Sequence, residues 1–167
     1  YMNNGNGFFS GPNSFGVGVY FSSTAIGDID ADGDADLLVS GFGTNGVIRL
    51  DRYMNDGSGN FSGPTSVGTG VDRSSTSLGD LDGDGDIDLI VTGTSNASTN
   101  GSQFRRYLNS GNGSFSGPGS VATGISYGAT SLGDLNQDGD LDVIIIGVDS
   151  GGVSRFQGYT NYQGTPN

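Results

Sequence analysis

The chain contains no cysteine, histidine, lysine, glutamate or tryptophan. Without cysteine there is no disulfide framework and no thiolate chemistry. Without histidine and lysine, an enzyme would lack an imidazole base and a Schiff-base amine. All six basic residues are arginine and all 18 acidic ones are aspartate. The common catalytic tools are missing, and the chain reads as not an enzyme. Apolar residues are also scarce, 32% against nearly half in an average globular domain. No apolar run approaches the roughly 20 residues of a membrane span, and the N-terminus is not signal-like, so no membrane insertion is expected. The chain opens at Tyr1, inside what the repeat below makes a strand, which reads as a fragment, a processed product or an engineered piece.

Glycine and aspartate are what the chain has. Glycine occurs 33 times in 167 residues, which points to many short strands, tight turns and several small core layers. The net charge of −12 is concentrated: three short segments hold 14 of the 18 aspartates. The remainder, four aspartates against six arginines, is close to neutral. A solvating acidic tail would run its charge in one block. This pattern reads as three cation sites. No basic stripe exists to neutralise phosphates, so nucleic acid is excluded as a partner.

Self-similarity organises the rest. YMNNGNGFFSGP from Tyr1, YMNDGSGNFSGP from Tyr53 and YLNSGNGSFSGP from Tyr107 align, with Pro12, Pro64 and Pro118 spaced by 52 and 54 residues. The two extra residues fall in TSNASTNGSQ after Gly93, expected to be a tolerant surface loop. Each copy reads as four strands. A first strand (SSTAIGDI, SSTSLGDL, GATSLGDL) leads into an aspartate loop. A β-branched second strand follows (DLLVSG, DLIVTG, DVIIIG), as expected of a strand buried on both faces. A third strand ends in RLDRYMN, QFRRYLN or SRFQGYTN. A Gly/Asn-rich turn then makes a hairpin into the fourth, FSGPTSVGTG in the middle copy. No window carries a 3.6-residue period, so helix is expected to be near zero. Tyr53, Tyr107, Phe61 and Phe115, at matched hairpin positions, read as core between units.

Four antiparallel strands in about 50 residues is the size of a β-propeller blade. The expectation is an all-β chain of three blades forming a single repeat domain over 1–167. Its copies lie at about 20–71, 72–125 and 126–162, with 1–19 supplying a closing outer strand. Residues 153–162 resemble a third strand with no fourth after it, while the matching piece FFSGPNSFGVG stands at residues 8–18. Three blades fall short of the four to eight that rings use. A head-to-tail homodimer closing a six-bladed ring is therefore expected, with exposed strand edges favouring association.

The chemical signature is D-x-D-x-D-G-x-x-D, as Asp28, Asp30, Asp32, Gly33 and Asp36, then Asp80, Asp82, Asp84, Gly85 and Asp88, then Asp134, Asn136, Asp138, Gly139 and Asp142. Carboxylates converging in this way repel unless a hard divalent cation with six to eight oxygen ligands sits among them. Glycine at the sixth position permits the sharp turn. Position seven (Asp34, Asp86, Asp140) is expected to offer its backbone carbonyl. Without histidine or cysteine, Zn²⁺ and Cu²⁺ are poor candidates, and three Ca²⁺ per chain are expected, the third loop weakest because Asn136 replaces a carboxylate. An EF-hand is excluded, since its twelfth-position Glu is replaced by Val39, Val91 and Ile145 on strands.

These loops, the DLIVTG-like runs and the F-S-G-P segments resemble the FG-GAP/VCBS repeats of integrin α-subunit propellers and related bacterial and fungal proteins. The resemblance implies propeller blades with Ca²⁺ in the loop joining first and second strands. The shorter repeat and three units instead of seven prevent integrin-type ligand binding from carrying over. It also implies that the turns preceding the first strands lie opposite the calcium loops. There the copies diverge, with Tyr20 and Phe21, then Asp72 and Arg73, then Ser126 and Tyr127, so Tyr20, Phe21, Asp72, Arg73 and Tyr127 are candidate ligand contacts. The expected function is a calcium-stabilised module for adhesion or protein–protein interaction, outside the cell or on its surface, where millimolar Ca²⁺ fills weak sites. The alternatives are a propeller lectin binding a glycan between blades, and a designed or reconstructed fragment without an evolved ligand. Asn60, Asn96, Asn100 and Asn112 begin N-x-S sequons, relevant if a eukaryote secretes the chain.

Overall fold

A computed structural model of the chain describes residues 2–3, 5–6, 9–95 and 101–162. Asn96, Asn100 and most of the inserted loop lie outside these residues. The described residues form twelve strands and no helix. Strands β1 (Met2–Asn3) and β2 (Phe9–Ser10) pair as a short hairpin. A four-stranded antiparallel sheet follows in simple order: β3 (Val19–Gly27), β4 (Asp36–Gly43), β5 (Ile48–Asn55) and β6 (Phe61–Ser66). The other sheet has six strands: β7 (Asp72–Gly79), β8 (Asp88–Thr94), β9 (Ser102–Asn109), β10 (Phe115–Gly133), β11 (Asp142–Asp149) and β12 (Ser154–Tyr159).

The six-stranded sheet is two repeat units run together. Strand β10 is 19 residues long. Its first part pairs with β9 from Phe115↔Asn109, and its last part pairs with β11 through Gly133↔Asp142. One continuous strand thus serves as the fourth strand of the second unit and the first of the third.

Period-2 alternation divides the apolar residues between two cores. On β8, Leu89 and Val91 turn back to join Ile29, Leu38 and Leu50 of the first unit, with Val71 and Tyr107. The intervening Ile90 faces the other way, joining Leu81, Phe104, Ile125, Val143 and Ile145. Every residue of β8 is buried, as the unbroken β-branched run requires. Tyr53 and Tyr107 are buried, and Phe115 packs on the first core.

The first strands meet edge to edge across units through hydroxyls. Ser23 Oγ lies 2.9 Å from Thr76 Oγ1 and accepts from the Thr76 amide, while Ser75 and Ser77 lie 3.1 and 2.7 Å from Thr130 Oγ1. The Ser/Thr content of these strands, unusual beside a core, satisfies polar groups where two edges approach.

Candidate metal centres

Each aspartate loop joins the first strand of its unit to the second, and its opening and closing aspartates build it. In the first loop, the Asp28 carboxylate accepts from the amides of Asp32 at 3.1 Å and Gly33 at 3.0 Å. Asp80 accepts from Gly83 and Gly85, and Asp134 from Gln137, Asp138 and Gly139, at 2.7–3.2 Å. Such wrapping draws the chain into a tight coil, with the sixth-position glycines at φ of 94–96°, conformations that favour a residue without a side chain. The fourth position is left-handed too, at Ala31, Gly83 and Gln137.

The ninth-position aspartates staple the loops to the sheets. Asp36, Asp88 and Asp142 are fully buried. One oxygen of each accepts from the second loop amide, of Ile29, Leu81 or Leu135, at 2.8–2.9 Å. The other accepts from the amide of Asn55, Asn109 or Asn161, at the end of each unit's third strand, at 2.7–2.8 Å. The asparagine side chains then tie units together. Asn109 Nδ2 donates to Ile29 O of the preceding unit at 2.7 Å, and Asn161 Nδ2 to Leu81 O at 2.8 Å. This role was not anticipated; the signal was the asparagine closing every YMN, YLN and YTN triplet.

Two acidic triads result among the described residues: Asp28, Asp30 and Asp36, and Asp80, Asp82 and Asp88, each offering carboxylate oxygens within 4.8 Å of one another. Desolvation raises the carboxyl pKa of Asp30 above its ordinary value, and the charges of Asp32 and Asp36 add to this. Desolvation likewise raises Asp82, with Asp84 adding to it, and raises Asp88 despite the amides of Asn109 and Leu81. The residues fit a hard cation, because Asp30 Oδ1 is shielded from water and has no hydrogen-bond partner. An anionic oxygen so placed carries a desolvation cost that a bound cation relieves.

Other sequence-predicted ligands sit differently. Oδ1 of Asp32, Asp84 and Asp138 accepts the amide two residues on, at 2.9–3.0 Å. The Asp34 carboxylate lies over Gly57 in the hairpin, where a Cβ would come within 2.5 Å of Oδ2, and Asp86 lies likewise over Gly111. These two carboxylates belong to the hairpin contact. In the third loop Asn136 donates to Asp138 Oδ2 at 2.7 Å and accepts from the Asp138 amide at 3.1 Å. Its carbonyl oxygen is already engaged.

At the opposite strand ends, the structure brings three of the five candidate ligand contacts together. The Arg73 guanidinium stacks between the rings of Phe21 and Tyr127, 5.1 Å from each centroid, and hydrogen-bonds the Tyr127 hydroxyl. All three residues are left-handed, at φ 50°, 49° and 53°, where the first strands shift register. They stand inside the first strands, not in preceding turns as expected, because the ladder resumes beyond the bulge. Tyr20 packs on Phe21 and Phe42. Asp72 is buried and paired with Arg73 at 2.8 Å, so it holds the arginine. Of the sequon asparagines within the described residues, Asn60 and Asn112 are exposed.

The FG-GAP-like repeat family matches residues 39–91 and 93–161. The chain belongs to that family. No curated protein matches it.

Proposed function

We propose that the chain is a β-propeller-type module held in shape by Ca²⁺ and used for protein–protein interaction or adhesion outside the cell. Strands β3–β6 are then one blade, β7–β9 with the first part of β10 a second, and the rest of β10 with β11 and β12 a third. The family supports the propeller reading, and the shielded, unpartnered Asp30 Oδ1 within a triad of carboxylates carries the metal reading. A purely oxygen donor set selects a hard ion, and Ca²⁺ tolerates the irregular geometry of such loops where Mg²⁺ requires near-octahedral order. Filling three loops would bring the charge of −12 to about −6. The ions act structurally, since the loops repeat in each unit and bind their own backbone throughout. The same reading pairs two copies head to tail into a six-bladed ring.

Calorimetric titration of chelator-treated protein tests the metal reading. Three Ca²⁺ per chain are expected, the third loop weakest, with a melting temperature that rises with Ca²⁺ concentration by mass action. Melting unchanged by Ca²⁺ or by chelator would falsify it.

Carbohydrate binding is a second reading, favoured by one observation. A polar pocket between the second and third units is lined by Arg73, Ser102, Ser126, Tyr127 and Asp149, with the Tyr127 ring exposed. A glycan array probed in Ca²⁺ tests it; no bound glycan would discard it.

A further inference from the structure

The sequence holds five Asn-Gly pairs, and an asparagine before a glycine can react with its own backbone. The amide nitrogen of the following residue closes on the side-chain carbonyl carbon, and glycine puts no Cβ in the way. Two of the pairs, Asn45-Gly46 and Asn112-Gly113, lie wholly within the described residues. Both asparagines are exposed in hairpin turns, but their hydrogen bonds differ.

In the first pair the nucleophile is occupied. Gly46 N donates to Gly43 O at 2.9 Å, and Asn45 Oδ1 accepts a long bond from Val47 N at 3.3 Å. In the second pair the carbonyl is polarised and the nucleophile is free. Asn112 Oδ1 accepts from Ser114 N at 2.9 Å and from the Ser110 hydroxyl at 3.0 Å. That hydroxyl also lies 3.2 Å from Ser114 O and is shared between the two. Among the described residues no acceptor meets Gly113 N.

The freedom of Gly113 N follows from the way the units are joined. In the first unit the equivalent amide, that of Gly59, donates to Asn55 Oδ1 at 3.1 Å. Asn109, the counterpart of Asn55, reaches back to Ile29 O and gives its own Oδ1 to Ser110 N. Asn112 then accepts from Ser114 N, as Asp56 accepts from Asn60 N in the first unit.

We infer that Asn112 is a self-modification site, where the folded hairpin converts asparagine to aspartate and isoaspartate with water as co-reactant. Gly113 N gives its proton to a solvent base and attacks Asn112 Cγ. The Ser114 amide and the Ser110 hydroxyl stabilise the negative charge that gathers on Oδ1. The Cγ–Nδ2 bond breaks, Nδ2 leaves as ammonia with a proton from solvent, and a five-membered succinimide remains. Water then opens the ring. Addition at Cγ gives aspartate, and addition at the backbone carbonyl gives isoaspartate, whose main chain runs through the former side chain and is longer by a methylene. Gly113 is buried against the first unit: Arg52 donates to its carbonyl, and a Cβ there would strike Arg52 and crowd Met54. The lengthened turn therefore disturbs a contact between units. The new carboxylate also stands one residue from Gly111, over which Asp86 lies.

The test ages the full chain, folded in Ca²⁺, at neutral pH and body temperature. Tandem mass spectrometry reads the amide-to-acid mass gain at each asparagine, and isoaspartyl methyltransferase labelling reads the isoaspartate. Asn112 should convert roughly 10-fold faster than Asn45, and in urea, where both turns are lost, the two rates should converge. Ser110→Ala should slow Asn112 by roughly 3- to 10-fold, less than a buried oxyanion donor contributes because this turn is wet. Similar rates at the two sites in the folded chain, or a rate at Asn112 that Ser110→Ala leaves unchanged, would overturn the inference. Asn112→Gln, whose longer side chain cannot close the five-membered ring, should keep the melting temperature that the aged wild type loses. Equal melting of the two after ageing would refute the effect on the contact between units.

Discussion

Asn109→Ala, compared with Asn55→Ala, isolates the energy that binds one repeat unit to the next. The buried Asn109 side chain donates to Ile29 O at 2.7 Å and to Ile87 O at 3.1 Å, and accepts from the Ser110 amide. Truncation strands two carbonyls beside the core, at about 1–3 kcal/mol per buried unsatisfied group. A loss of about 3 kcal/mol is expected. Asn55 is equivalent but donates only to Ala35 O, at 3.1 Å in an exposed setting, and accepts from Gly59. Its truncation should cost about 1 kcal/mol. For a chain of this size each kcal/mol moves the melting temperature by about 2–4 °C. Thermal unfolding of dilute protein in Ca²⁺ should therefore show Asn109→Ala lower by about 6–12 °C and Asn55→Ala by about 2–4 °C. If Asn109→Ala fell by no more than its first-unit counterpart, the inter-unit hydrogen bond would not be the fastening described.

In metal-free protein, Asp30, Asp82 and Asp88 have folded-state pKa values raised mainly by desolvation. Their contribution is most favourable at low pH and is lost as pH rises from the ordinary carboxylate value through the raised one. Asp56 and Asp149 are lowered, the first chiefly by the Asn60 side chain and the second by the Val153 amide, so they act in the opposite sense. Asp30→Asn with Asp82→Asn should reduce the loss of melting temperature between pH 4 and 7 in chelator; an unchanged profile would contradict the assignment. Arg73→Met should cost about 3 kcal/mol by leaving buried Asp72 without its partner, with most of the loss recovered by adding Asp72→Asn, read from urea midpoints. Phe104→Ala should cost about 3–5 kcal/mol, whereas Phe156→Ala in dilute, monomeric protein should stay within about 0.5 kcal/mol. Equal losses would mean that Phe156 is covered within one chain.

Much of this architecture was legible because the units repeat. The strand types followed from alternation and β-branched runs, and the loops from aspartate at every second position with a glycine at the sixth. What escaped was the division of labour within the loops. The spacing presents Asp36 and Asp28 as similar ligands, yet one is a fully buried staple and the other the centre of a coil. Only the fold shows which amides surround each. The Phe21–Arg73–Tyr127 stack also lay beyond reach, because residues about 50 positions apart become neighbours only when consecutive first strands lie side by side. The copies differ there in side chain but share a left-handed backbone.

Strand β10 makes the second and third units mechanically one object. The first unit is joined to the second through residues 67–71, between β6 and β7, whereas residues 115–133 run unbroken between the second and third. Opening the third unit must therefore peel a rod that also edges its neighbour, while between the first and second units the ladder is interrupted at residues 67–71, where Val67 and Val71 pack in the core the two units share. Amide exchange should proceed through the four-stranded sheet before it enters the six-stranded one.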